Sequence, residues 1–157
     1  MADVVSPEVR SRMMAGIRST NTRPEIAIRR ALHAKGLRFR LHAANVPGKP
    51  DLVLPKYRAA VFVHGCFWHG HDCPLFRLPA TRPEFWQAKI DRNRTRDAVV
   101  AASLRQTGWR QLLIWECAMR GRSRIGLEAT ADRATAWIRS DLPAGAIRGA
   151  NTAAQPD

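Results

Sequence analysis

The sequence predicts an α/β fold, a small mixed central sheet flanked by helices, and three observations lead there. Elements read from periodicity and capping signals run in the order α-α-β-β-β-α-β-α. The segments Tyr57–Val63 and Trp109–Trp115 are short and nearly wholly apolar, as strands covered on both faces are. Turn chemistry separates them, most clearly at Pro47-Gly48-Lys49-Pro50. At 157 residues the chain suits one domain with its own core.

A first helix is expected from Ser6-Pro7 to about Ala15, with Ser as N-cap and Pro at the first helical position. Thr22-x-x-Glu25 is a capping box for a second helix, which Lys35-Gly36 ends. Leu37–Leu41 alternates apolar and basic residues, like a strand with one wet face. Asp51–Leu54 is a short strand, and Tyr57–Val63 delivers the chain directly into His64–Cys73, HGCFWHGHDC. Thr81-x-Pro83-Glu84 is expected to cap a long helix reaching Gln106, with Gly108 as its stop. After the Trp109–Trp115 strand, a last helix covers roughly 125–139. The resulting division is an N-terminal arm at 1–20, a main domain at 21–140 and a disordered tail at 141–157, rich in Ala, Gly and Pro.

Composition points to a polyanionic partner. The chain carries 26 Lys and Arg against 13 Asp and Glu, a formal charge of +13. Such an excess repels itself in the folded state unless an anion meets it. One basic run, Arg10–Arg40, includes Arg12 and Arg18; a second, Arg82–Arg96, includes Lys89, Arg92 and Arg94. No apolar run of about 18 residues is present, so no membrane span is expected. The opening MADVVSPEVRSRMM lacks the apolar core of a signal peptide. Three cysteines, an odd number, argue against a disulfide framework and fit a reducing cytoplasm.

Those cysteines have a use. Cys66-x4-His71-x-Cys73, with Cys117 at a strand end, makes a Cys3His set suited to one structural Zn2+, and no cysteine is left over. The competing reading is three unrelated buried thiols and a surface histidine. A zinc deaminase is disfavoured, because the HxE and PCxxC elements are missing.

The remaining acids and histidines suit phosphodiester hydrolysis, which needs a divalent cation, a positioned water and proton transfer. Asp51 starts one strand, and Val63 and His64 end the next, so a carboxylate and the Val63 carbonyl can share a hard cation such as Mg2+. His69 lies inside the cysteine-stapled loop, and imidazole exchanges protons near neutral pH. Asp97 is a candidate to orient it. Each residue also has a purely structural reading: Asp51 as a turn residue, Glu25 as the capping-box acid, Asp97 as partner to Arg94 or Arg96, His64 as a strand-end histidine bonded to backbone. Phe67 and Trp68 sit inside the loop, poorly placed for a core, whereas Trp86 fits packing on the sheet as well as stacking on a base. Trp109, Trp115 and Trp137 read as core.

Taken together these residues resemble the very short patch repair (Vsr) DNA mismatch endonucleases. The segments that carry the likeness are RSRMMAGIRSTNTRPE (10–25), PGKPDLVL (47–54), VFVHGCFWHGHDC (61–73), PATRPEFW (79–86), RNRTRD (92–97) and GWRQLLIWEC (108–117). The resemblance implies a restriction-endonuclease-like core and nicking 5′ to the thymine of a G·T mismatch left by 5-methylcytosine deamination. It implies Mg2+ on Asp51 and the Val63 carbonyl, proton transfer by His69 supported by Asp97, and Glu25 and His64 holding water or phosphate at the metal. Cys66, His71, Cys73 and Cys117 would bind Zn2+. Phe67, Trp68 and Trp86 would enter the major groove beside the mismatch, with Met13 or Met14 probing from the minor groove. Like the family, the chain departs from the broader PD-(D/E)xK signature: Phe62-Val63-His64 supplies neither acid nor lysine.

The partner so implied is double-stranded DNA with a G·T mismatch, in functional association with a DNA cytosine-5 methyltransferase and mismatch-repair proteins. The expected setting is the bacterial cytoplasm, on the nucleoid, with the enzyme acting as a monomer. Two alternatives stay open: a non-catalytic zinc-containing nucleic-acid-binding module, and a restriction-like nuclease cutting other duplex sites.

Overall fold

Thr22 opens helix α1, Arg23–Ala34, as the capping box requires: its hydroxyl accepts the Glu25 N–H, and the Glu25 carboxylate accepts the Thr22 N–H. Gly36, at φ 92°, ends it. The computed structural model describes residues 21–150. The expected first helix, with Arg12, Met13 and Met14, and Arg18 beyond it lie outside the described residues.

Five strands form one mixed sheet in sequence order: β1 Arg40–Leu41, β2 Leu52–Leu54, β3 Ala59–His64, β4 Arg110–Trp115 and β5 Ala144–Ile147. β1, β2 and β3 are antiparallel neighbours, while β3, β4 and β5 run parallel. The parallel joins need long crossovers. Helix α2, Pro83–Gln106, makes the first and helix α3, Leu127–Ile138, the second.

Side-chain alternation assigns the two faces. Leu52, Leu54, Val61, Leu112 and Ile114 pack with Ile28 and Leu32 of α1 and with Ala131, Ala134 and Ile138 of α3. The opposite parity, Val53, Ala60 and Phe62, packs with Leu104 of α2, Val100 and Leu113 flanking. The sheet is therefore covered on both faces, as its continuous apolar strands require.

Three expectations need correction. The 37–41 strand is only Arg40–Leu41, because both residues are exposed and pair on one side alone. Helix α2 takes Arg82 rather than Thr81 as its N-cap, in the left-handed region at φ 55°, its guanidinium stacked on Phe85. And the chain beyond Asp141 is no loose tail as far as 150, since β5 extends the sheet beside β4. Composition gave no strand signal there; the open edge of β4 supplies the backbone partners instead. Arg110 fixes the approach, donating to the Trp137, Ile138 and Leu142 carbonyls and stacking on the Trp137 ring. Residues 151–157 lie outside the described residues. No helix among the described residues is long and apolar enough to cross a membrane.

β5 passes directly over Trp137: a Cβ at Gly145 would stand 2.4 Å from the indole Nε1. Gly145→Ala should therefore destabilise the protein by about 1–3 kcal/mol through overpacking. Urea denaturation measures this; an unchanged midpoint would show that β5 does not dock there.

Candidate active site

The parallel register aligns His64 with Trp115, so the loops leaving β3 and β4 start side by side. One carries Cys66, His71 and Cys73, the other Cys117. Their ligand atoms all lie within 4.8 Å of one another, with Cys117 Sγ 3.6 Å from His71 Nδ1. Backbone bonds hold the arrangement: His71 N–H donates to the Cys66 carbonyl, and Cys117 N–H to Cys66 Sγ. The Glu116 carboxylate accepts the Cys66 N–H at 3.2 Å. Trp115 stacks flat on His71, 3.9 Å between ring centres at 7°. All three thiols are free. Burial pushes the Cys66 and Cys117 thiols up, so this pocket accommodates thiolates only with a cation among them. The set thus fits a metal ion, as the sequence expects.

The second centre is a cleft of about 870 Å³ whose walls include Asp51, Val63, His64, His69 and Asp97. Asp51 reaches across from the entry to β2, and its Oδ2 accepts the Val63 N–H at 2.6 Å. Burial pushes its carboxyl up to about 6; the Val63 bond opposes that rise, the nearby Glu25 carboxylate adds to it, and His42 and His69 oppose it. His69 Nδ1 lies 2.5 Å from Asp97 Oδ2, and its ring stacks on His64 at 3.7 Å and 2°. That leaves His69 Nε2 for the cleft. His64 is buried, and its Nδ1 has no hydrogen-bond partner among the described residues. Burial, with His69 next in effect, brings its imidazole down to about 3, so it stays neutral through the physiological range.

The structural alternatives resolve unevenly. Asp97 pairs with His69, while Arg94 and Arg96 line the cleft. Glu25 does close the capping box, yet it is 1% exposed and also meets His42 Nε2 at 2.5 Å beside Asp51. It stands behind Asp51 rather than among the cleft walls. His42 escaped sequence reading because it follows a two-residue edge strand with no motif; its left-handed backbone, φ 48°, is the one local oddity. Trp115 is a correction. Rather than belonging only to the core, it lines the cleft and touches His64, His69 and His71.

Phe67, Trp68 and Trp86 form one aromatic cluster at the mouth of the loop, each ring within 6.0 Å of the other two. All three are half-buried. Helix α2 steadies the group: Asn93 donates to the Trp68 carbonyl at 2.8 Å, and the Lys89 ammonium sits 5.5 Å from the Trp68 ring centre. Gly70, at φ 60°, lets the loop lie against α2, where a Cβ would meet Ile90 at 2.7 Å. Water attack on a phosphodiester needs a cation-binding carboxylate on one side and proton exchange on the other. A cleft with both, opening beside a basic helix, belongs to a nuclease.

The comparisons with known proteins agree. A family model described as DNA mismatch endonuclease Vsr matches residues 2–75. The DNA mismatch endonuclease Vsr of Escherichia coli (strain K12) is 46% identical over 138 residues, 88% of each chain. The type II nicking enzyme V.XorIIP of Xanthomonas oryzae pv. oryzae is 50% identical, covering 74% of this chain and 86% of its own. For V.NmeAIP of Neisseria meningitidis the figures are 37%, 78% and 88%. The chain belongs to the DNA mismatch endonuclease Vsr family. It is a hydrolase that cuts DNA.

The raised Asp51 carboxyl makes a signed prediction for metal-free protein. Well below pH 4 Asp51 is protonated whether folded or not; between about pH 4 and 6 only the unfolded chain ionises it and stability falls, and above about 6 both forms are ionised and the loss is constant. Asp51→Asn keeps the Val63 acceptor without the charge. It should be the more stable protein at pH 7.5, by at most about 3 kcal/mol, and the advantage should vanish near pH 4. His64 is common to both proteins and cancels. Urea denaturation across that range checks it; a constant difference would contradict the assignment to Asp51.

Proposed function

We propose that this protein is a Mg2+-dependent endonuclease that nicks one strand 5′ to the thymine of a G·T mismatch arising from 5-methylcytosine deamination. The observation that carries the chemistry is the His69–Asp97 pair opening on the same cleft as Asp51. The restriction-endonuclease-like reading of the core is supported by the acid placed where β2 meets β3.

The Asp51 carboxylate fits a hard divalent cation: one oxygen is fixed by Val63 N–H, oxygen donors suit Mg2+, and an ionised form needs positive charge nearby. Asp51 and the Val63 carbonyl would hold it, and when bound it supplies Lewis-acid stabilisation of the scissile phosphate. Asp97 fixes the His69 ring so that Nε2 faces the cleft, where it exchanges a proton with water or the leaving oxygen. The neutral His64 lines the same cleft and would hold a water or a phosphate oxygen at the metal. Glu25, held by Thr22 and His42, sets the negative field behind Asp51.

Phe67, Trp68 and Trp86 are the wedge toward the major groove, with Lys89 beside Trp68. A mismatch lowers the cost of opening the base step, on the order of a few kcal/mol. Met13 or Met14 would probe from the minor groove, and Arg12 and Arg18 would bind phosphates. Zn2+ is the cation we assign to Cys66, His71, Cys73 and Cys117, since thiolate and imidazole in a closed set suit it. We assign the protein to the cytoplasm, acting as a monomer because one mismatch is not a palindrome. A DNA cytosine-5 methyltransferase would create its targets, and mismatch-repair proteins would share its pathway.

Nicking assays on matched oligonucleotide duplexes with Mg2+ test the reading. A G·T duplex in a cytosine-methylation context should be nicked on the thymine strand and its G·C counterpart left intact. His69→Ala should lower kcat by roughly 10²- to 10⁴-fold without loss of binding. Equal cutting of both duplexes would overturn mismatch specificity. For the second metal, elemental analysis of chelator-free protein should find one zinc per chain, and well under one equivalent would overturn that assignment.

A further inference from the structure

Beyond β5 the chain does not leave the fold; three successive residues close over the cysteine–histidine cluster. Arg148 donates twice to Asp72, to its carboxylate at 2.7 Å and to its carbonyl at 2.8 Å. Gly149 N–H points at Cys117 Sγ, 3.3 Å away. Ala150 N–H donates to the Ser123 carbonyl at 2.7 Å. The fit over the cluster is close enough to demand glycine: a Cβ at 149 would stand 2.5 Å from the Cys117 carbonyl oxygen and 2.6 Å from that of Ser123.

We propose that Arg148, Asp72 and Gly149 are positioning residues of the metal centre, a strap that fixes two of its four ligands and slows metal release. The proposal rests on the reading that the cluster binds zinc. His71 turns Nδ1 toward Cys117 and Nε2 toward Asp72, whose Oδ1 is 3.6 Å away. Asp72 is otherwise an exposed side chain, and Arg148 is what holds its carboxylate at that edge of the ring. A carboxylate beyond the distal nitrogen of a metal-ligating histidine orients the ring and strengthens it as a donor. Trp115 covers one flat face of the same imidazole, so the ring is constrained on a face and at an edge. At Cys117 the Gly149 N–H lends positive dipole to a sulfur that must be thiolate when metal is bound. The bonds of Arg148, Asp72 and Gly149 given above involve neither Asp51, His69 nor Asp97.

The sequence carries this arrangement in two places with no common motif. Asp72 reads as a loop acid between two ligands, and Arg148 as part of a tail. The pairing spans 76 positions and exists only because β5 runs parallel to β4 and ends beside Cys117.

The test is zinc release from the full-length holoprotein to a coloured chelator in excess, with zinc content measured beforehand. Arg148→Ala and Asp72→Asn should each release zinc roughly tenfold faster or more, the usual scale for loss of such an outer partner. The double variant should be no faster than the faster single one. Arg148→Lys, which keeps charge but cannot bond both Asp72 oxygens, should fall between. Melting of zinc-stripped wild type and Arg148→Ala should coincide, separating an effect on metal retention from a general loss of stability. Wild-type release rates in all three single variants, with full zinc loading, would overturn the strap and leave the zinc assignment standing. Absence of zinc from the wild type would overturn both.

Discussion

The structure hangs on the parallel pairing of β3 with β4. Six residue pairs run from Ala59–Arg110 to His64–Trp115, and both strands end level. Most of the residues of the cluster and several of the cleft lie at or just past that line. The β3 end delivers His64 and then the loop with Cys66, His69, His71 and Cys73; the β4 end delivers Trp115 and then Cys117. Slipping β3 by one residue against β4 would turn Phe62 onto the opposite face from Leu113 and shift Cys66 away from Cys117. The burial of these strands on both faces makes that slip costly. A site of small polar groups is thus positioned by large apolar ones.

Trp115 shows how the two centres are joined. It stacks on His71 of the cysteine cluster and presents its edge to His64 and His69 of the cleft. Metal at the cluster would fix His71, His71 fixes the indole, and the indole limits where the stacked His64–His69 pair can sit. The cysteine cluster therefore does more than close a loop. It sets one wall of the cleft that Asp51, His69 and Asp97 share. Asp97 supplies a further restraint from α2, so His69 is held from two elements far apart in sequence.

Much of this was legible in the sequence, and the limits have physical reasons. The capping box at Thr22, the crossover helix and the apolar strands were readable because local chemistry determines them. The use of every cysteine made the cluster readable by count. Family resemblance pointed to Glu25, whose local role as a capping acid is complete and conceals its second contact with His42. His42 itself, Trp115 as a cleft residue, and the Asp72–Arg148 pair depend on tertiary pairing, to which periodicity is blind. β5 was missed because Ala144-Gly145-Ala146-Ile147 has almost no side chain to pattern; its strand character comes from a neighbour's unpaired backbone. Gly145 and Gly149, which read as marks of disorder, are the residues small enough to pass Trp137 and Cys117.

The two donor sets also differ in the cations they suit. Thiolates with an imidazole favour a borderline-soft ion such as zinc, while carboxylate and carbonyl oxygens favour a hard one such as magnesium. Their environments differ in step. The cluster is closed, with Cys66, His71 and Cys117 buried and the 148–150 segment across it. The Asp51 site is open to a cleft large enough for a phosphodiester backbone. A structural ion should exchange slowly, and a catalytic one must accept substrate oxygens into its shell. Burial produces both outcomes from opposite directions. It raises the thiols, so the cluster is comfortable only when filled, and it raises Asp51, so that carboxylate is most readily ionised when a cation arrives.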